Sequence, residues 1–212
     1  MFSIEQTFFN LWDYPVSYIE FIASLAGVIA VYLAAHSNIL TWPIGIVNIT
    51  LFFIIFWQVQ LYSDVFLQVY YFVISIYGWK NWNIEMHKKI PIKMLNNNWK
   101  LNIMAIILSG SICLGYLVSH FHTWWPNLFS QEAAFPYADS AVALMSIIAN
   151  TLMAKRFLEN WFLWIMVNIV CIFLYFAKNI IFVSIEYFVF LLLAIIGHIQ
   201  WKKELKITQS PY

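Results

Sequence analysis

Charge is scarce in this chain: only 10% of its 212 residues are Asp, Glu, Lys or Arg, against about 25% in a typical soluble domain. Such a sequence cannot cover an ordinary water-exposed surface. Its formal net charge is +1, so nothing in the balance argues for a nucleic-acid partner. The two cysteines, Cys113 and Cys171, each lie inside an apolar run. They supply no disulfide framework and no metal cluster, and read as core fillers. Six glycines and six prolines limit the number of hinges. The chain has no HExxH, no GxSxG, no glycine-rich phosphate loop and no pair of intramembrane carboxylates. An enzyme therefore has no visible machinery here, and no cofactor is implied. Glu5 and Asp13 stand where a cleavable signal would carry basic residues, so the N-terminal segment is expected to be retained.

What is abundant is apolar length. Hydrophobic residues make up 63% of the chain, and the mean hydropathy is +0.75. Seven stretches, 17–35, 40–59, 62–80, 100–118, 138–155, 160–177 and 180–199, are long enough to cross a hydrocarbon core, which takes roughly 17 to 25 helical residues. The expected fold is an all-α integral membrane protein with seven transmembrane helices. Ten of the eleven basic residues fall on one side of this arrangement, in 80–100, Lys155–Arg156 and 202–206, and only Lys178 on the other. The positive-inside rule then puts the C-terminus in the cytoplasm and the N-terminus outside.

A shift of 119 residues superimposes Glu20 on Asp139, Ala35 on Ala154, Trp42 on Trp161, Gly78 on Gly197 and Trp82 on Trp201. The reading is a 3+1+3 parallel repeat: 1–82 as the first three-helix unit, 137–212 as the second with a cytoplasmic tail, and 83–136 as a loop, a connecting helix and an outer loop. Repeats of this kind are the usual scaffold of a transport pathway. The segment Asn83–Lys100 reads as a cytoplasmic loop whose lysines set topology and can hold anionic lipid heads. On the other side, Trp124, Trp125, Phe129 and Tyr137 fit an interfacial aromatic belt. His120 and His122, with no cysteine beside them, make a poor ligand set, and no metal site is expected.

Polar side chains inside the spans are costly, so each is either a packing contact or part of a pathway. Trp161, Trp164, Ile165 and Asn168 share one face of the sixth span, with Asn168 near the midplane. An amide can read a carboxamide or an aminopyrimidine edge, and an indole face attracts a flat cation. Asn48 lies at similar depth in the second span; Ser146 and Asn150 share a face of the fifth; Gln68, Tyr71 and Ser75 form a stripe on the third. Tyr70, Tyr77 and Trp79 are assigned to ordinary packing. Glu186 is the one carboxylate well inside an apolar run. It either meets a cationic substrate or a proton, or reaches the outer interface or Lys178.

The pieces WPIG, LYSD followed by LQ, YGWKNW, and ENWFLWIMVN with LY beyond it resemble the PnuC family of vitamin transporters, over nearly the whole chain outside the termini and two long loops. The resemblance implies a fold similar to that of the SWEET sugar transporters, with substrate held at the centre. It implies facilitated import of nicotinamide riboside in some members and of thiamine, with riboflavin proposed, in others. Carried onto this chain, it makes Trp164, Asn168, Gln68 and Asn150 the ligand contacts, with Asn150 where members often have glutamine. Both leading vitamins carry a quaternary ring nitrogen; a site-facing Glu186 favours thiamine, and otherwise nicotinamide riboside leads. The partners expected are the vitamin and membrane lipid, with homo-oligomerisation open. A seven-helix sensor that binds a ligand without moving it is the reading from another class.

Overall fold

In a computed structural model of the chain, residues 6–11, 14–58, 62–88, 90–126, 132–178 and 180–209 are described; Glu5, Asp13, Lys89 and Phe129 lie outside them. Seven helices follow one short hairpin: β1 (Thr7–Leu11), β2 (Tyr14–Ser17), α1 (Tyr18–Ala35), α2 (Thr41–Gln58), α3 (Tyr62–His87), α4 (Asn97–Trp124), α5 (Pro136–Ala154), α6 (Glu159–Ala177) and α7 (Ile181–Gln209). Six of the helices are long and apolar enough to cross a membrane. The exception is α3, whose buried Gln68 and Ser75 lower its hydropathy. Three helices run past the expected spans: α3 to His87, α4 to Trp124 and α7 to Gln209. The expected loop 83–100 is accordingly helical at both ends. His120 and His122, expected in a loop, belong to the last turns of α4.

Helix starts and stops have local causes. Ser17 and Glu20 form a reciprocal capping box at α1: the Ser17 hydroxyl accepts from the Glu20 N–H, and a Glu20 carboxylate oxygen accepts from the Ser17 N–H at 2.8 Å. Asn96 Oδ1 accepts from the Trp99 N–H at 2.9 Å to start α4. Helices α1 and α5 end alike, on left-handed Ser37 (φ 52°) and Arg156 (φ 57°). After each, an N–H reaches back five residues, Asn38 to the Leu33 carbonyl and Phe157 to the Leu152 carbonyl, both at 2.9 Å.

The helices pack in a closed ring, α1–α2–α3–α5–α6–α7 and back to α1, while α4 lies outside against α5. Apart from its α5 seam, α4 turns Leu101, Met104, Leu108 and Ile112 outward, as a helix does in lipid. Cys113 is exposed on it rather than filling a core; Cys171 is buried.

The principal core sits at the end of the ring that carries the basic segments. Trp42 meets Trp82 edge-on at 5.3 Å, Trp82 meets Trp201 at 5.7 Å, and Trp201 meets Trp161 edge-on at 5.6 Å. The Trp42 indole lies on Gly78, and the Trp161 indole on Gly197. Trp82 Nε1 donates to the Met153 carbonyl at 3.0 Å, and Trp201 Nε1 to the Ala34 carbonyl at 2.9 Å. The α3–α5 seam carries a further tie. Tyr70, expected to be a packing residue, donates to the Ile147 carbonyl at 2.9 Å and lies 2.7 Å from Thr151 Oγ1. Tyr70→Phe is expected to cost ~1–2 kcal/mol, read as a lower melting temperature in detergent. Exposed Tyr77→Phe, with no such partner, should leave it unchanged.

The hairpin was not expected from the sequence. It covers the opposite end of the α1–α7 seam: Phe8 packs on Tyr18 and Phe21, Tyr14 stacks on Phe182 at 5.9 Å, and the Tyr14 hydroxyl donates to Glu20 at 2.8 Å. Burial, then the Glu20 carboxylate, pushes the Tyr14 hydroxyl well above its ordinary value, so the donor persists through neutral pH.

Candidate substrate site

Amides inside the ring divide into two kinds. Half-buried Asn48 donates to the Ala23 carbonyl at 2.7 Å and tethers α2 to α1; half-buried Asn81 donates to the Ala154 carbonyl at 3.0 Å; buried Asn160 donates to the Phe157 carbonyl at 2.6 Å, with its Oδ1 enclosed and unpartnered among the described residues. These amides hold the scaffold. Gln68 on α3, Asn150 on α5 and Asn168 on α6 are only 9%, 8% and 3% exposed; their amides make no hydrogen bond among the described residues, yet none of their polar atoms is fully enclosed. Amide atoms that keep an opening and have no protein partner can meet a ligand, whereas enclosed polar groups are nearly always satisfied within the fold. Ser75, two turns along the same face from Gln68, is likewise buried and makes no side-chain hydrogen bond among the described residues.

The helices bring these stripes together. Half-buried Tyr71 lies close to Ser146, which brings the α3 stripe (Gln68, Tyr71, Ser75) beside the α5 stripe (Ser146, Asn150). On α6, Trp161 packs against Gly197 and Trp201 of α7, while Val167 and Cys171 pack with Met145 of α5. Asn168 falls between those two faces by helical phase. Trp164 is partly buried and touches the core of the basic end as well as the Met145 and Ala149 clusters. Beyond it, Tyr175 and Tyr187 stack at 5.4 Å.

Not every candidate joins this group. Trp161 is a buried member of the tryptophan cluster, and its Nε1 has no partner. Glu186 lies close to Ser24 of α1, on the α1–α7 seam beneath the hairpin. The alternative that it reaches Lys178 is corrected: Lys178 pairs with Asp139 at 3.3 Å. The reason is steric order along the ring, since Lys178 ends α6 and turns toward α5 while Glu186 faces α1. A cleft of about 230 Å³ between α2 and α3, lined by Ile49, Thr50, Phe53, Gln68, Val69 and Phe72, is almost wholly apolar and borders exposed Val69 and Phe72. Such a lining suits lipid better than a polar vitamin.

Residues 17–203 match the family described as nicotinamide mononucleotide transporter. The chain belongs to this family. It is a family of membrane transporters, not enzymes, and this member is a multi-pass membrane protein. The nicotinamide riboside transporter PnuC of Escherichia coli (strain K12) is 28% identical over 208 residues, spanning 89% of this chain and 86% of that protein. A riboflavin/roseoflavin transporter, RibM of Streptomyces davaonensis, is 22% identical, with 91% and 88% covered. The crystal structure of the vitamin B3 transporter PnuC has the same fold, with a TM-score of 0.68 over 90% of this chain and 83% of that one at 22% identity.

Proposed function

We propose that this transporter-family member imports nicotinamide riboside across the bacterial cytoplasmic membrane by facilitated diffusion. Its relatives named for that vitamin support the substrate. The observation that carries the reading is the set of three amides on α3, α5 and α6 that make no hydrogen bond among the described residues and keep an opening, with Trp164 one turn from Asn168. The pyridinium ring stacks on the Trp164 indole as a flat cation. Asn168 reads the carboxamide, for which an amide offers a donor pair and an acceptor, and Gln68 and Asn150, with Tyr71 and Ser146, take the ribose hydroxyls.

The unphosphorylated riboside suits this site better than the mononucleotide. A buried phosphate needs cationic partners. Among the described residues the nearest candidates are engaged at the ends of the ring, Lys178 by Asp139 and Arg156 by Glu204. Glu186 at the α1 seam leaves thiamine without its carboxylate at the amide cluster, which favours the riboside.

The scaffold reading is two parallel three-helix repeats, α1–α3 and α5–α7, with α4 as connector and α3 as a seventh span. The paired contacts 119 residues apart support it: Trp42 on Gly78 and Trp161 on Gly197, Trp82 to Met153 and Trp201 to Ala34. The basic end faces the cytoplasm by the charge asymmetry. In liposomes, labelled nicotinamide riboside should equilibrate and undergo counterflow, without accumulation under a pH or sodium gradient. Uphill accumulation would refute facilitated diffusion, and absence of counterflow would leave only a sensor.

A further inference from the structure

The segment that follows α3 crosses from one three-helix unit to the other at the basic end. By the chain it continues α3, and the Ile90 N–H donates to the Glu85 carbonyl at 2.9 Å. By its other bonds it belongs to the second unit. The Lys93 N–H donates to the Arg156 carbonyl and the Lys93 carbonyl accepts from the Leu158 N–H, both at 2.9 Å, so Lys93 and Phe157 pair as in a parallel sheet. The Leu95 N–H donates to Glu159 Oε2 at 3.1 Å, and Arg156 Nη1 donates to the Ile90 carbonyl at 3.1 Å. Ile92, buried, is part of the tryptophan cluster, which draws on all six helices of the ring.

Among the described residues, the side-chain bond that ties this strap back to α3 is the Lys93 ammonium on Glu85 Oε1. Glu85 is buried, and its Oε2 is enclosed without a partner. A buried ion pair with an unmet oxygen adds little net stability, because desolvation offsets the Coulomb attraction. Water can therefore replace Lys93 at small cost once the seam parts. The 119-residue offset supplies a counterpart. Glu204 of α7 is the equivalent of Glu85, and its Oε2 accepts from the Ser37 hydroxyl of the first unit at 2.7 Å. Each of the two acids thus reaches across a different seam, Glu204 from the second unit at α1–α7 and Glu85 from the first at α3–α5.

We propose that residues 90–95 move with the second unit, and that Lys93–Glu85 is the clasp that shuts the α3–α5 seam at the basic end and opens whenever substrate leaves there. The proposal rests on the transport reading. Release at that end requires the units to part, which carries α3 away from the end of α5 and breaks the Asn81–Ala154 and Trp82–Met153 bonds. The strap is attached on both sides, so one attachment yields. The bonds to Arg156, Leu158 and Glu159 hold it to the second unit, against one ion pair and the chain itself on the α3 side. Lys93 therefore leaves Glu85 and stays on the α5–α6 turn. A clasp of small net strength keeps the closed and open arrangements close in energy, as a carrier requires.

The test uses the full chain with Cys113→Ser and Cys171→Ala as background. Ala154→Cys, buried at the α3–α5 seam, is the reporter for thiol labelling in detergent. Glu85→Gln and Lys93→Met should each speed its reaction with a maleimide about threefold, as a shifted population would. Lys155→Gln, an exposed neighbour, should leave the rate unchanged. Crosslinks without the reporter then separate the two attachments in liposomes. An oxidised Lys93→Cys/Phe157→Cys pair ties the strap to the second unit and should keep riboside counterflow within about twofold of the reduced protein, whereas a reducible bridge between Glu85→Cys and Lys93→Cys ties it to α3 and should cut counterflow about tenfold until it is reduced. Unchanged labelling in both single variants, loss of counterflow in the first crosslink, or full counterflow in the second would overturn the clasp. Should cysteine at position 93 prevent folding, the labelling of Glu85→Gln decides. A wild-type background without counterflow whose labelling still rises in Glu85→Gln would sink transport and keep the clasp. A transporting one with unchanged labelling would do the reverse.

Discussion

Asn168→Ala should weaken nicotinamide riboside binding by at least tenfold, and Trp164→Ala by a hundredfold or more, in calorimetry on purified protein. A hydrogen bond to a buried amide is worth ~1–2 kcal/mol, and ~1.4 kcal/mol is tenfold in affinity. A desolvated cation over an indole adds ~2 kcal/mol, and truncation to alanine also removes the packing surface of the ring. Because Trp164 touches three buried clusters, Trp164→Phe is the companion that keeps the fold. It should bind more weakly than wild type while melting close to it. The scaffold amide Asn160, whose Nδ2 donates to the Phe157 carbonyl within its own helix start, supplies the contrast: Asn160→Ala should lower the melting temperature and leave affinity alone. Normal affinity in both Asn168→Ala and Trp164→Phe would remove the proposed site.

Gly78→Ala and Gly197→Ala should each abolish stable folding, the reverse of the usual result. In a helix interior Gly→Ala normally stabilises by ~1 kcal/mol. Here a Cβ at Gly197 would stand 2.6 Å from the Trp161 indole, and one at Gly78 would penetrate the Trp42 indole. Neither ring can retreat, because Trp82 and Trp201 are packed against their edges, and overpacking a dense core costs ~1–3 kcal/mol or more. Trp42→Phe should partly rescue Gly78→Ala and not Gly197→Ala, since the clash is with one specific ring. Folding of Gly78→Ala at the wild-type melting temperature would show that the cluster yields.

The long spans were legible because lipid demands unbroken apolar length, and the 119-residue offset already paired Trp42 with Trp161 and Gly78 with Gly197. Asn168 and Gln68 were legible as polar positions inside apolar spans. What spacing could not separate was Asn48 from Asn168, two amides within apolar runs: only the Ala23 carbonyl at 2.7 Å from Asn48 distinguishes a tether from an amide with no partner among the described residues. The Tyr70 tie and the Arg156–Glu204 pair escaped the linear reading. Their partners lie far away in the chain, although the equivalence of Glu85 with Glu204 was available in the offset. The hairpin was hidden because TFFNL and YPVS are short strands beside a much longer apolar run.

By itself the sequence determined that this chain is helical, membrane-embedded and polar at a few positions within its spans, because hydrocarbon solvent imposes length and polarity on every segment separately. The tertiary structure alone decided which amides are spent on backbone carbonyls and which stay open, that α4 stands outside the ring, and that Glu186 faces α1 rather than Lys178. Those outcomes depend on which helices become neighbours, and a hydrogen bond between residues far apart in the chain exists only once the ring has closed.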